Sequence, residues 1–268
     1  MNSPWISLLA LVAFLLATAL GLFARHRLAD RYMSEETTAV LHSTVGMLVT
    51  FAAIVVGLLM SSAKTDFQNA EAVMRNYAAS LVSLNDSLRE AGPGGAEIQH
   101  ALAAYTAATI AATWTRQAPP PGDYYPKGIA AVPGGQLTDN PRVSGLLGAV
   151  ADQVAALPGE TAGQRQVRAR CLALVEQVTQ AHWSLITASQ GSFSTPFFIV
   201  LVFWMSVAFL CLGLSAPANR LSLTVIALAA LAMGSALFVI VDLDTLYDDG
   251  LFAISSGPME SALARMPH

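Results

Sequence analysis

Four long apolar stretches limit how this chain can fold. They cover residues 5–23, 44–60, 197–214 and 221–241, and none of them contains a Lys or Arg. A helix needs about 20 mostly apolar residues to cross a bilayer. Charged residues make up only 12% of the chain, about half the share in an ordinary soluble domain. The sequence therefore predicts an all-α membrane protein with four transmembrane helices, and it excludes a soluble enzyme and a disordered chain.

Charge and motif content exclude further functional classes. The formal net charge is −4, so the chain lacks the basic surface that nucleic-acid binding requires. Cys171 and Cys211 show no paired spacing, which leaves neither a disulfide framework nor a Cys-x-x-Cys site. The sequence contains no glycine-rich phosphate loop, zinc-protease motif or nucleophile elbow. We therefore expect no enzymatic activity, no catalytic residue and no organic cofactor.

The short connections between the spans predict the orientation. The loop after span one carries Arg25, Arg27 and Arg31, and the turn between spans three and four carries Arg220. Positively charged short loops stay in the cytoplasm. The first charges follow the first apolar run, which favours an uncleaved anchor over a signal peptide. We expect a multi-pass protein of the cell inner membrane, with both termini and the segment between the span pairs outside the cytoplasm.

Hydropathy divides the chain into four parts. They are residues 1–62 with spans one and two and the arginine-bearing loop, 63–193 as an extramembrane helical bundle inserted between spans two and three, 194–243 as a transmembrane hairpin, and 244–268 as an acidic turn and short tail. No Gly or Pro lies between residues 59 and 90. Span two is therefore predicted to continue into the bundle as one helix from about 40 to 90, roughly 75 Å long.

Apolar residues at heptad spacing mark the extramembrane part of this helix. They are Phe67, Ala70, Met74, Tyr77, Leu81, Leu84 and Leu88. Such a seam packs either inside one bundle or between subunits, and the spacing leaves both open. Further along, Asn140-Pro141 is a typical helix start, with Asn as N-cap and Pro as the first helical residue. The short amphipathic tail at Met259–Arg265 is expected to lie on the membrane surface.

Span two also carries a face of small and polar residues. Its members are His42, Gly46, Thr50, Ala53, Gly57 and Ser61. Small residues let membrane helices approach closely, so one interpretation is helix packing. The other is a pore lining, because small hydroxyl-bearing side chains leave room for water or ions. In that case the pore-lining residues would be His42, Gly46, Thr50, Gly57 and Ser61.

Acidic residues follow the end of span four. They are Asp242, Asp244, Asp248 and Asp249. An acid at the edge of a span is costly to bury, so it is a candidate site. The four aspartates are a candidate metal or cation site, or a cation-attracting mouth, although the spacing does not fit an EF-hand. The alternative is that they solvate the helix end and fix a turn before Gly250.

Nearly the whole chain resembles the bacterial bestrophin-like integral membrane proteins. The resemblance rests on span two with the polar helix after it, on Glu71 in that helix, and on Asp242-Leu243-Asp244 with Gly250 and Ser255-Ser256-Gly257-Pro258. Leu246-Tyr247 departs from the Pro-aromatic pair that is usual in the family. The resemblance implies two spans, a helical insert and two spans, as in bestrophins, which are oligomeric anion channels gated by calcium.

Two features separate this chain from a bestrophin. The insert of a bestrophin is cytoplasmic, opposite to the orientation predicted from the arginines, and span two has no aromatic-rich neck. We therefore do not carry over anion selectivity. The sequence predicts an oligomeric, channel-like protein that passes ions passively and favours cations, with the bilayer, other copies of itself and inorganic ions as partners. The alternative is a non-conducting scaffold or sensor whose outer bundle binds a partner.

Overall fold

The computed structural model describes residues 3–27, 34–128, 140–189, 195–217, 219–244 and 252–267. Within these ranges the protein contains helices and no strand. The helices are α1 (Ser3–Arg27), α2 (Glu35–Glu90), α3 (Pro93–Thr113), α4 (Pro141–Ala155), α5 (Ala162–Ser189), α6 (Thr195–Ser215), α7 (Arg220–Asp244) and α8 (Gly257–Leu263). The predicted all-α fold is confirmed.

Four helices are long and apolar enough to cross a membrane. They are Trp5–Arg27, the apolar part of Glu35–Glu90, Pro196–Ser215 and Arg220–Leu243. Three of them end within a few residues of the predicted apolar stretch, whereas the second continues far beyond it to Glu90. The protein is therefore a multi-pass membrane protein.

Helix α2 begins at a cap and runs without a break for 56 residues. The Ser34 hydroxyl accepts a hydrogen bond from the Thr37 amide at 3.2 Å, which satisfies one of the amides that a helix start leaves open. Glu35 and Glu36 lie in the first turn, where negative charge stabilises the helix dipole. At the other end Gly92 adopts a positive φ of 75°, and Pro93 begins α3 at once. Pro93 and the two glycines after it thus belong to the next helix.

The chain forms two compact units. Unit one contains Met1–Thr65 and Ser192–Asp244, and unit two contains Asp66–Gly191 and Thr245–His268. Helix α2 contributes its apolar part to the first unit and its polar part to the second.

Helices α1 and α6 of unit one meet through two glycines. A Cβ added to Gly21 would overlap the Leu210 carbonyl oxygen and lie 3.0 Å from the α-carbon of Gly213. A Cβ added to Gly213 would overlap the Thr18 carbonyl oxygen. One side of this crossing holds a stack of Phe14 on Phe209, with ring centroids 5.0 Å apart. The two backbones approach more closely than any side chain would permit.

The core of unit two is built from α2, α3, α4, α5 and the tail. The heptad residues from Ala70 to Leu88 are fully buried in it, and Phe67 packs against its edge. The seam therefore packs inside one chain, which is the first of the two arrangements that its spacing allows. Asn140 caps α4 as predicted, because its side chain accepts a hydrogen bond from the Arg142 amide at 3.1 Å.

The tail is part of this core, so the prediction that it lies on the membrane surface is wrong. Its buried residues are Ile254, Met259, Ala262, Leu263 and Met266. The Trp114 indole donates a hydrogen bond to the Ile254 carbonyl at 2.8 Å. The Asn85 side chain donates to the Arg265 carbonyl at 3.3 Å and accepts from Gln99 at 2.9 Å. The amphipathic pattern of the tail is satisfied by α3, whose residues between Leu102 and Ile110 are buried throughout.

Candidate functional site

The candidate site is the first half of α2, which is the least enclosed of the four spans. Only 11% of its apolar window is buried within the chain, whereas the other three windows are 33–39% buried. Contact with the other helices of unit one is limited to a single stripe. Its members are Ala52, Val55, Val56, Leu59, Met60 and Ala63, of which Ala52 is fully buried. Most of the circumference of this helix is thus left for something other than its own chain.

The predicted pore-lining residues lie on this uncovered part. All five are exposed in the single chain; they are His42, Gly46, Thr50, Gly57 and Ser61. A Cβ added to Gly46 or Gly57 would meet no atom within 4 Å. The Thr50 hydroxyl donates to the Gly46 carbonyl at 2.8 Å, so its hydrogen is used within the helix while its oxygen can still accept a hydrogen bond. Among the described residues, no span of the same chain packs against this face.

A third stripe of α2 consists of large apolar side chains. They recur at steps of four, three and four residues, which places them on one face of the helix. Met47 is 76% exposed, Phe51 51%, Ile54 60% and Leu58 67%. The membrane part of α2 therefore has three faces: one packed on unit one, one of small polar residues, and one of bulky apolar residues.

The aspartates after span four are not gathered into a site that the structure describes. Asp242 is 2% exposed and takes part in interactions with its surroundings. Asp244 is the last residue of α7, and Asp248 and Asp249 lie outside the described residues. Across the described ranges, no three His, Cys, Asp or Glu side chains lie close enough to hold a metal ion. A cation site at this end stays a prediction.

The two arginine-bearing connections lie at the same end of unit one. The Arg25 guanidinium donates a hydrogen bond to the Ala216 carbonyl, just beyond the last residue of α6. Helix C-termini leave such carbonyls open, and a cation there stabilises the helix dipole. Arg220 begins α7 four residues further on. Arg27 lies over the ring of Phe23 at 5.1 Å, and Arg31 lies outside the described residues.

Unit two contains a buried polar cluster that the sequence did not single out as a group. The hydroxyls of Tyr77 on α2 and Tyr105 on α3 are hydrogen-bonded, and the Tyr105 hydroxyl lies 3.2 Å from Nδ1 of His182 on α5. The tyrosines are fully buried and His182 is 4% exposed. We call these three residues the tyrosine–histidine cluster. Burial raises the pKa of Tyr105 well above its ordinary value, and the adjacent Tyr77 phenol raises it further.

Sequence reasoning had only a weak signal for this cluster. His182 lies on the apolar side of an amphipathic helix, a position that most often means a satisfied core histidine. Its partners are far away in the sequence and come together only when the helices pack. His100, the other histidine of the bundle helices, is exposed.

Comparison with known proteins identifies the family. No curated relative and no solved structure matches the chain. A family model described as a Bestrophin-like domain matches residues 12–259, which covers most of α1, the other three spans, the bundle and the start of α8. The chain therefore belongs to the Bestrophin-like family.

Proposed function

We propose that the protein is an oligomeric, channel-like membrane protein through which ions pass passively, with copies of α2 around a central axis. The observation that carries the proposal is the open face of α2, where Gly46, Thr50 and Gly57 meet no other part of the described chain. Family membership supports a channel-like role in the membrane. The mechanism involves no covalent chemistry and no organic cofactor.

The three faces of α2 suit such a ring. The stripe around Ala52 holds the helix against its own unit one. The bulky stripe from Met47 to Leu58 suits a neighbouring copy or lipid, both of which accept exposed apolar side chains. The remaining face, with Thr50 and Ser61, offers oxygen atoms and free space to a hydrated path. Soluble and membrane oligomers alike usually close with cyclic symmetry, which would bring the same face of every copy to the axis.

The preference for cations rests on the acidic end of span four. Asp244, Asp248 and Asp249 follow one another within six residues, and a ring of copies would multiply their charge at one mouth. Asp242 is enclosed in the single chain, so its role would be to shape the end of α7 and not to meet ions directly. Replacing the three outer aspartates by Asn should reduce the permeability ratio of potassium to chloride without abolishing flux.

Flux through liposomes that contain purified protein tests the proposal. Thr50→Leu should remove most of the flux while the mass of the assembly stays unchanged, because a bulky side chain narrows the path. Thr50→Ser is the matched control, since it keeps the hydroxyl and a small volume, and it should conduct as the unaltered protein does. If the unaltered, correctly assembled protein passes neither monovalent cations nor anions, the proposal is wrong.

The same variants distinguish the channel from the alternative function. In a non-conducting scaffold or sensor, the small face of α2 is a packing seam between copies or partners. Thr50→Leu would then dissociate the assembly, as measured by light scattering in detergent. Loss of assembly together with no flux in the unaltered protein favours the scaffold.

We also propose that the arginine-bearing end of unit one faces the cytoplasm of a cell inner membrane and that the bundle is extracytoplasmic. Lys127→Cys, on an exposed part of unit two, should react with an impermeant maleimide in cells whose outer membrane is opened. Arg27→Cys should react only after lysis. A background of Cys171→Ser and Cys211→Ser removes the native thiols. The opposite labelling pattern would reverse the orientation.

A further inference from the structure

Lys64 is the first charged residue of α2 after its apolar part, and it belongs to unit one. It follows Gly46 by 18 residues on the same unbroken helix, which is five full turns at about 3.6 residues per turn. Gly57 and Ser61 precede it by seven and three residues, spacings that keep these side chains on one side of a helix. Lys64 therefore continues the face of small polar residues, about 4.5 Å beyond Ser61 along the helix axis.

The two other faces of α2 carry different residues at this level. Ala63 packs against unit one, on the stripe that contains Ala52. Thr65 follows Leu58 by seven residues and so continues the bulky apolar stripe. Lys64 and Thr65 are both exposed in the single chain. As neighbours on a helix, they point about 100° away from each other around its axis.

The charge of the Lys64 ammonium is not compensated within the described chain. No ion pair or hydrogen bond joins this side chain to another side chain in the part of the chain that the structure describes. The next acid on the same side of α2 is Glu71, seven residues further on, and its carboxylate is ion-paired with Arg75. Each copy of the protein thus presents one free positive charge at the end of its small polar face.

We propose that Lys64 places a ring of positive charge on the ion path and restrains the entry of cations at the far end of unit one, the end opposite the arginine-bearing connections. The inference rests on the proposed function, because a ring exists only if copies of α2 surround an axis. Consecutive spans alternate in direction, so α2 and α7 both run toward the far end. Lys64 acts at the same mouth as the aspartates at and after the end of α7, and with the opposite sign.

Removal of the charge should raise the preference for cations. Charged protein surfaces produce potentials of several kT, and a potential of only about one kT changes the local ratio of cations to anions by about sevenfold. Lys64→Gln removes the charge and keeps a polar side chain, so the permeability ratio of potassium to chloride should rise by about sevenfold. Lys64→Arg keeps the charge and should show the unaltered ratio. Because Lys64 is exposed, neither change should disturb folding.

Thr65→Lys in the Lys64→Gln background is the matched control for position. It restores the net charge of each copy at nearly the same level of the helix, but about 100° around the axis from the small polar face. We expect this double variant to keep the raised ratio of Lys64→Gln. Return of the unaltered ratio would mean that the charge acts through the general field of the surface, and it would overturn the placement of Lys64 on the path.

Ionic strength separates an effect of charge from an effect of size. The screening length is about 10 Å in 0.1 M salt and about 3 Å in 1 M salt. The difference between the unaltered protein and Lys64→Gln should therefore shrink strongly in concentrated potassium chloride. A difference of the same size at both concentrations would contradict a role for the charge.

Modification of an assembled protein gives an independent measurement. Lys64→Cys, in a background of Cys171→Ser and Cys211→Ser, is reconstituted and then treated with a methanethiosulfonate reagent. A reagent that carries a trimethylammonium group should restore the unaltered ratio, and one that carries a sulfonate should raise the ratio above that of Lys64→Gln. The same change with both reagents would show that bulk matters and charge does not, against the proposal.

The permeability ratios come from the reversal potential of reconstituted protein across a potassium chloride gradient. If the unaltered protein carries no current, the proposed function fails and the assignment of Lys64 fails with it. If the unaltered protein conducts and Lys64→Gln leaves the ratio unchanged, only the assignment of Lys64 is wrong.

Discussion

Replacing either glycine at the α1–α6 crossing should break the tightest packing in unit one. A Cβ on Gly21 would lie 3.0 Å from the Gly213 α-carbon and 2.9 Å from the Leu214 nitrogen, and it would overlap the Leu210 carbonyl. All three obstacles are backbone atoms of α6, so no side-chain rotation can relieve them. The helices must move apart, or one of them must bend.

The size of the effect follows from these distances. Two carbon atoms pack best at about 3.5–4.0 Å, and the overlap with the Leu210 carbonyl oxygen is deeper than this carbon contact. The crossing must therefore open by roughly 1 Å, which already forfeits about half of each contact energy. The stack of Phe14 on Phe209 lies in the same interface and loses contact as well. Overpacking of this kind costs about 1–3 kcal/mol. We expect Gly21→Ala and Gly213→Ala each to destabilise unit one by that amount.

The assay is unfolding of the purified protein in mixed detergent and SDS, followed by circular dichroism. Gly46→Ala and Gly57→Ala are matched controls on another span, because a Cβ there meets no atom within 4 Å; they should be neutral or slightly stabilising. The double variant at the crossing should cost less than the sum of the two single variants, because one separation relieves both clashes. Unaltered stability of Gly21→Ala and Gly213→Ala would refute the close approach of the two backbones.

Three further outcomes can be checked on unit two. Asn140→Ala should destabilise α4 by about 1 kcal/mol through loss of its N-cap, measured by amide exchange at the first turn. Trp114→Phe should cost about 1–3 kcal/mol, because the buried Ile254 carbonyl loses its donor, and it should release the tail to limited proteolysis. Because burial raises the pKa of Tyr105, stability should be complete below about pH 10, where an unfolded tyrosine begins to ionise, and fall as the pH rises further. Absorbance at 295 nm reports that ionisation.

Each of these outcomes has its own control. Asn140→Asp keeps a capping oxygen and should retain most of the stability of α4. Phe252→Ala changes an exposed residue of the tail and should leave proteolysis unchanged, in contrast to Trp114→Phe. Tyr105→Phe should remove part of the loss of stability above pH 10. An alkaline profile unaffected by that substitution would contradict the link to Tyr105.

The features that could be predicted from the sequence are those with a local cause. Apolar length defines the four spans, and the absence of Gly and Pro after Leu59 explains why α2 continues to Glu90. Asn140 followed by Pro141 is a local start signal. The heptad seam is also visible in the sequence, but the helices that pack against it, α3 and α5, are known only from the fold. Spacing alone therefore does not decide whether the seam packs within one chain or between subunits.

The features that could not be predicted depend on which helix meets which. Glycines are visible in α1, α2 and α6 alike, yet only Gly21 and Gly213 lie at a close crossing. A face of small residues, as on α2, therefore permits another helix to approach closely but does not show that a helix of the same chain does so. The tyrosine–histidine cluster is hidden for the same reason, because its members lie on three different helices. Two aspartates of the candidate cation site, Asp248 and Asp249, lie outside the described residues, so the cation site stays a prediction.

The position of the tail in the core sets an order of events during biosynthesis. Ile254, Met259 and Leu263 complete the core of the bundle, but α6 and α7 are translated before them. The ribosome must therefore deliver the last two spans to the membrane while the apolar side of α3 that the tail later covers is still open. Such an interval of exposed apolar surface invites aggregation and chaperone binding. The core of the bundle can thus be completed only after spans three and four and the tail have been synthesised.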